Sequence, residues 1–303
     1  MAIDQWSQLA SSLSGLRTAF DRSAQFPEAY LPDSPADRER QGDRLAGDWA
    51  RRPAHSANIT PLPAVFSVLD HLDSLGTLFR SAGGITTTYT VARAALDIAT
   101  GPWYLLEPGI GSRERVRRYM NFRLQSLKEQ MQLDSAGKTD IREHSEQRIE
   151  SIIHTAQQHG FKARRTKDRY KPPYLDDPLP TTMELASQIV SKEEPSLGRL
   201  FWRVGSAVAH GHQYGFALFF GEEQVVDPIS GDIAKQLQTN ARQTALGCGG
   251  APLAAIALLR RLYAQYGWET TELEAAVHGV LTTWRRVAAG PPPSPLIPDT
   301  FRP

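Results

Sequence analysis

Residues 200–212 have the sequence Leu200-Phe201-Trp202-Arg203-Val204-Gly205-Ser206-Ala207-Val208-Ala209-His210-Gly211-His212. Their pattern predicts a helix, in which Arg203 and His210 differ by about 700°, roughly 20° short of two full turns. Both side chains therefore share one stripe of the helix, and Ser206 lies between them within neighbour distance of each. Gly211 suits the left-handed position that follows a last helical turn, so we expect the helix to end there.

A guanidinium, a hydroxyl and an imidazole along one helical edge can together act on a phosphate. The guanidinium of Arg203 offers several donors in one plane to phosphate oxygens. The imidazole of His210 can accept or donate a proton near neutral pH. Ser206 and His212 are placed to orient the imidazole or the phosphate. These residues form the first candidate site.

The order Arg, six residues, then His, within Ser-Ala-Val-Ala-His-Gly and on a late helix, resembles the HEPN superfamily. Ribonuclease members of that superfamily carry Arg-x(4–6)-His. The resemblance implies a helical fold and a metal-independent endoribonuclease without a cofactor, whose Arg and His pairs meet at a dimer cleft. Arg203, His210 and Ser206 would then be catalytic, and His212 would contact the substrate. Residues 92–96, 103–108 and 112–118 also resemble uncharacterised actinobacterial proteins that end in a Ser-Ala-x-x-His-Gly helix, a likeness that implies no activity.

Other functions remain compatible with the same residues. A non-catalytic helical module for dimerisation or sensing would need only the fold. A small-molecule enzyme would use a pocket lined by His210 together with Asp70, His71, Arg93 and Asp97. Arg203 and His210 could also have a purely structural role. His210 would then lie at a helix end, where the helix dipole favours it, and Arg203 would pair with a neighbouring acid. Arg93 and Asp97 are four residues apart, so an intrahelical ion pair is expected.

Two patterns indicate partners. Gly205 and Ala209 lie four residues apart and allow close helix approach, which, with Trp202 as an anchor, favours a homodimer. A basic run at 161–171 is flanked by aromatic rings, as a contact with single-stranded RNA requires, although a solvated loop would have the same composition. The basic side chains assigned to this substrate contact are Arg164, Arg165, Lys167 and Arg169. A regulatory protein partner is also compatible with the HEPN resemblance.

Composition bounds the remaining possibilities. The 303 residues carry a formal net charge of +1, so RNA binding has to depend on local patches. No apolar run is long enough to span a bilayer, and the N-terminus lacks a signal-peptide pattern. A single cysteine excludes an internal disulfide and a cysteine-based zinc cage, and no other metal motif is present. We therefore expect a cytoplasmic protein without a metal or a membrane partner.

Apolar residues at intervals of three and four predict a mainly α-helical protein, a multi-helix bundle with one small β-hairpin. We expect one helical domain over residues 1–290 and a proline-rich tail at 291–303. Segments 27–60 and 161–181 are predicted as long loops, the first with a single aromatic anchor at Trp49. The hairpin is predicted from strands at 216–220 and 224–226 around Gly221.

Overall fold

The computed structural model confirms a mainly α-helical fold with small two-stranded sheets. It describes residues 4–24, 29–45, 47, 49, 51–81, 84–136, 139–165, 171–191, 195–216, 219–227, 232–237 and 239–290. The predicted tail at 291–303 lies outside these residues.

Helices make up most of the described part of the chain. In order they are α1 (Gln5–Ser23), α2 (Pro35–Gln41), α3 (Pro53–Ile59), α4 (Pro61–Arg80), α5 (Ile85–Leu105), α6 (Gly111–Gln130), α7 (Thr139–Gln158), α8 (Thr182–Val190), α9 (Pro195–Ala209), α10 (Gln213–Phe216), α11 (Ala241–Cys248), α12 (Gly250–Tyr266) and α13 (Thr271–Ala289). A 3₁₀ segment, Met131–Ala136, follows α6.

The main hydrophobic core lies among α1, α4, α5, α12 and α13. Helix α1 shows why apolar residues at intervals of three and four predict a helix, since Leu9, Leu13, Leu16 and Phe20 lie on one stripe that is fully buried. Asp4 caps this helix by accepting a hydrogen bond from the Trp6 backbone at 2.7 Å. Helix α12 is buried along most of its length and forms the centre of the core.

A second hydrophobic cluster lies between α6 and α7. Trp49 belongs to it and is buried as predicted, but Tyr30 of the same segment is buried in the main core, so Trp49 is not the single aromatic anchor. The segment 27–60, however, contains α2 and α3 and is not the extended loop we predicted. Both helices have only seven residues and begin with proline, so they are too short to show a helical period.

A fully buried arginine connects the two clusters. Arg115 of α6 donates to both carboxylate oxygens of Glu39 in α2, at 2.7 and 3.0 Å. It also reaches Gln265 of α12 at 3.3 Å. Because the guanidinium is 0% exposed, these partners supply the hydrogen bonds that water would otherwise provide.

The strands form two antiparallel pairs. Ala163–Arg164 (β1) pairs with Tyr174–Leu175 (β2) inside the predicted loop at 161–181. Phe220–Asp227 (β3) pairs with Asp232–Leu237 (β4), which confirms a small hairpin but corrects its position. The Gly221 turn was wrong, because Gly221 lies within β3 beside a register shift.

Among the described residues no single helix is both long and apolar enough to cross a membrane. The bent pair α11 and α12 meets those criteria only when its two helices are taken together.

Candidate functional site

Two glycines of α9, Gly198 and Gly205, allow this helix to pack closely against its neighbours. A Cβ atom at Gly198 would lie 2.1 Å from the Ala186 carbonyl oxygen, and one at Gly205 would lie 2.7 Å from Arg93 Cβ. These positions therefore mark where α9 touches α8 and α5. Gly205 faces its own chain, so the close approach that we assigned to a dimer partner is made by α5.

The side chain of Arg93 connects α5 with α9. Its side chain forms the expected ion pair with Asp97 and donates from Nε to the Trp202 carbonyl oxygen at 3.1 Å. The guanidinium also lies 4.3 Å from the centre of the Trp202 ring, a cation–π contact. Burial lowers the pKa of Arg93 to about 10, so the group remains charged at neutral pH.

The end of α9 follows the sequence expectation. Gly211 has φ +69°, the left-handed conformation. The Gly211 amide donates to the Val208 carbonyl at 3.2 Å, and the His212 amide donates to the Ala207 carbonyl at 2.8 Å. This pair of bonds is the Schellman motif, which turns the chain sharply after the helix. His210 and His212 are therefore held at the C-terminal end of α9.

Arg203 and His210 both lie on the solvent side of α9, with Ser206 half-buried between them. Arg203 forms no hydrogen bond or ion pair with any residue that the structure describes. Seven residues of helical rise place the two α-carbons about 10 Å apart, a span that an arginine side chain covers in large part. The predicted edge is therefore present, open to solvent and without an acidic partner for Arg203 in the described chain.

Aromatic and aliphatic side chains surround this edge. The rings of His210 and His212 are 6.1 Å apart, and the His212 ring stacks on Tyr214 at 5.9 Å with an interplanar angle of 11°. Tyr214 is 63% exposed, and Leu200 on α9 is 54% exposed. Large exposed apolar groups beside unpaired cations are typical of a surface that binds a partner.

The alternative pocket is not assembled. Asp70 forms an exposed ion pair with Arg17 of α1 at 2.7 Å, and His71 Nδ1 bonds the Ser67 carbonyl at 2.7 Å within its own helix. Arg93 instead contacts Trp202 of α9, and Asp97 pairs with Arg93. Asp70 and His71 therefore belong to the α1 side of α4, and the structure gives them no shared contact with Arg93, Asp97 or His210.

The basic run is divided between different environments. Arg165 pairs with Glu150 of α7 at 2.5 Å. Arg164 is exposed and lies directly across from Tyr174 in the β1–β2 pair. Lys167 and Arg169 lie outside the described residues. No contact between described residues brings this run to the Arg203–His210 edge.

A cleft that we did not predict lies between α5, α6, α8 and the segment 171–182. Its volume is about 860 Å³. Its lining includes Asp97 of α5, Phe122 of α6 and Tyr174, together with Pro172, Pro173, Pro178 and Pro180. The available signal was this proline-rich segment, which we predicted only as an extended connection.

Within the described chain, no group of three or more His, Cys, Asp or Glu side chains is arranged to hold a metal ion. No family model, curated protein or solved structure matches the chain. The Arg203–His210 edge and the cleft are therefore the features of this chain that bear on its function.

Proposed function

We propose that this protein is a metal-independent endoribonuclease that uses Arg203 and His210 at a cleft between two protomers. The observation that supports it is the exposed position of both side chains on α9, without an acidic partner for Arg203 among the described residues. A structural arginine would be expected to pair with a neighbouring acid, as Arg93 does with Asp97. The HEPN resemblance of the motif points to the same chemistry.

The reaction is a transesterification within RNA. The 2′-hydroxyl oxygen attacks phosphorus, the bond from phosphorus to the 5′ oxygen breaks, and the products are a 2′,3′-cyclic phosphate and a 5′-hydroxyl. His210 accepts the 2′-hydroxyl proton, and the partner's His210 donates a proton to the departing 5′ oxygen. Arg203 binds the non-bridging oxygens as negative charge increases on them. The protein thus supplies charge stabilisation and proton transfer from its own side chains.

The surface around the edge supports a dimer, although not the dimer contact we first predicted. The face of α9 at Gly205 is covered by Arg93, whereas Leu197 and Leu200 of α9 are 41% and 54% exposed. Leu200 lies three residues before Arg203 and is therefore its neighbour on the helix surface. Tyr214 adds an exposed ring beside His212. We place the dimer contact on these apolar side chains. A cytoplasmic location and a regulatory protein partner remain part of the proposal on the basis of sequence alone.

The same exposed leucines favour a second candidate, a non-catalytic module that dimerises or senses a partner through α9. The two candidates differ in their dependence on His210. Loss of the imidazole would abolish cleavage, whereas it would leave an apolar interface centred on Leu200 in place. Measuring cleavage and oligomeric state on the same variants separates them.

The decisive experiment incubates purified protein with a mixed RNA pool in the presence of a chelator. We expect cleavage that leaves 2′,3′-cyclic phosphate ends, and a decrease of about 10²- to 10⁴-fold for His210→Ala, the usual contribution of a general acid or base. Arg203→Lys should lose much of the activity, because the planar set of donors is gone although the charge is kept.

Two matched variants act as controls. His144→Ala removes an exposed histidine from α7, and Arg199→Ala removes an exposed arginine one turn before Arg203. Both should retain activity. If the wild-type protein and His210→Ala leave the pool equally intact, the catalytic proposal is wrong and α9 is to be treated as a binding element.

A further inference from the structure

The cleft between α5, α6, α8 and the segment 171–182 has the size and lining of a small-ligand site. Its volume of about 860 Å³ is within the range of ligand pockets, and its lining surface is mainly apolar, although about half of the lining residues are polar or charged. We propose that this cleft binds a nucleoside monophosphate group, with the base between the ring-bearing walls and the phosphate at Lys171. The inference does not require that Arg203 and His210 cleave RNA.

The walls offer flat apolar surfaces to a planar base. Phe122, Tyr174, Pro172 and Pro173 line the cleft and are each half-buried, so their rings are held but remain accessible. Phe122 lies close to the α5 backbone because residue 101 is glycine. A Cβ there would lie 3.4 Å from the Phe122 ring. Bases stack on such aromatic faces with little dependence on sequence.

Among the described residues, Lys171 is the one cation that lines the cleft. Its side chain is exposed and forms no hydrogen bond or ion pair with the described part of the chain. Arg164 is the register partner of Tyr174 but is not among the described residues that line the cleft. The free ammonium group of Lys171 can therefore pair with the oxygens of a phosphate.

Two carboxylates lie on the α5 and α6 walls of the cleft. Asp97 lines the cleft with its side chain 35% exposed, and its Oδ2 atom forms an ion pair with Arg93. Its Oδ1 atom is buried and accepts no hydrogen bond from the described residues. Glu129 provides a second carboxylate on α6. Acceptors on these walls favour the N–H groups of a base and disfavour a phosphate, so the charges orient the ligand with its phosphate toward Lys171.

Binding is measured by isothermal titration calorimetry with adenosine, guanosine, cytidine and uridine monophosphates. Adenosine and inorganic phosphate, titrated separately, test the two halves of the ligand. We expect a monophosphate to bind more tightly than either half. Lys171→Glu should weaken the binding by about tenfold or more, since a charge-assisted contact becomes a repulsion. Short RNAs with and without a terminal phosphate distinguish a free nucleotide from the end of a strand.

Two exposed positions on α8 give a matched pair of variants. Thr182→Trp places a bulky side chain at the rim of the cleft, whereas Gln188→Trp adds the same group away from the lining. We expect the first to abolish binding and the second to leave it unchanged, with circular dichroism showing that both remain folded. No binding of any monophosphate to the wild-type protein, or equal binding by the Thr182→Trp variant, would overturn the inference. His210→Ala should bind normally, which keeps this test separate from that of the ribonuclease.

Discussion

Replacing Gly205 by alanine tests whether α9 uses its small-residue face within the chain or between chains. The new Cβ would lie 2.7 Å from Arg93 Cβ, 3.0 Å from Cδ and 3.1 Å from Cγ. Favourable carbon contacts are about 3.5–4.0 Å, so α5 and α9 have to separate or Arg93 has to leave its position. Overpacking of this kind costs about 1–3 kcal/mol, while alanine gains roughly 1 kcal/mol over glycine inside a helix.

The net expectation for Gly205→Ala is a loss of up to about 2 kcal/mol in the free energy of unfolding, or up to roughly 3 °C in Tm. Gly279→Ala is the matched control, because glycine 279 of α13 has nothing within 4 Å of the added atom. That variant should gain up to about 1 kcal/mol. Urea unfolding followed by circular dichroism measures both, and sedimentation measures their oligomeric state.

The contrary result is equally well defined. If Gly205→Ala unfolds at or above the wild-type urea concentration and converts a wild-type dimer to monomers, then Gly205 lies at a subunit interface. The assignment of its contact to Arg93 would be wrong, and the dimer surface would return to the helix face predicted from sequence.

Two further predictions concern titratable groups outside the candidate site. Burial, with the charges of Arg40 and Arg52, lowers the pKa of His55, whose ring bonds the Tyr30 hydroxyl at 2.5 Å, so the unfolded chain binds the extra proton more readily. The free energy of unfolding should therefore fall as the pH decreases below about 6.5. Between about pH 7 and pH 5.5, the urea midpoint of His55→Gln should decrease less than that of the wild-type protein. Equal decreases for the two proteins would contradict this expectation. Cys248, the single cysteine of the chain, is fully buried, and this burial raises the pKa of its thiol. An aromatic disulfide reagent should therefore react with the thiol only after the protein unfolds. Rapid reaction in the native state would contradict this prediction.

Local signals in the sequence were reliable where the structure depends on neighbouring residues. The stripe of α1 and the end of α9 at Gly211 depend on spacing within a few turns and on the conformational freedom of glycine, and both are as predicted. The Arg93–Asp97 pair was predictable for the same reason, since its members lie one turn apart on α5.

Features that depend on contacts between residues far apart in the sequence could not be predicted from local patterns. Arg115 is one of several arginines in a basic helix, and nothing near it indicates that Glu39, which lies 76 residues away, draws it into the interior. Gly205 is equally suited to a partner chain or to α5, and only the tertiary packing distinguishes the two. The cleft is formed by α5, α6, α8 and the segment 171–182, so its lining has no sequence period to recognise.

Arg93 connects the cleft with the Arg203–His210 edge of α9 through its contacts. Asp97 lines the cleft, Arg93 pairs with Asp97, and the same guanidinium is bonded to Trp202, the residue before Arg203. A ligand that competes for the Asp97 carboxylate would change the bond that fixes α9. If both proposed ligands bind, thermodynamic linkage requires that each change the affinity for the other by the same free energy. A substitution at Arg93 would alter both surfaces together, and it is the position at which their cooperativity can be measured.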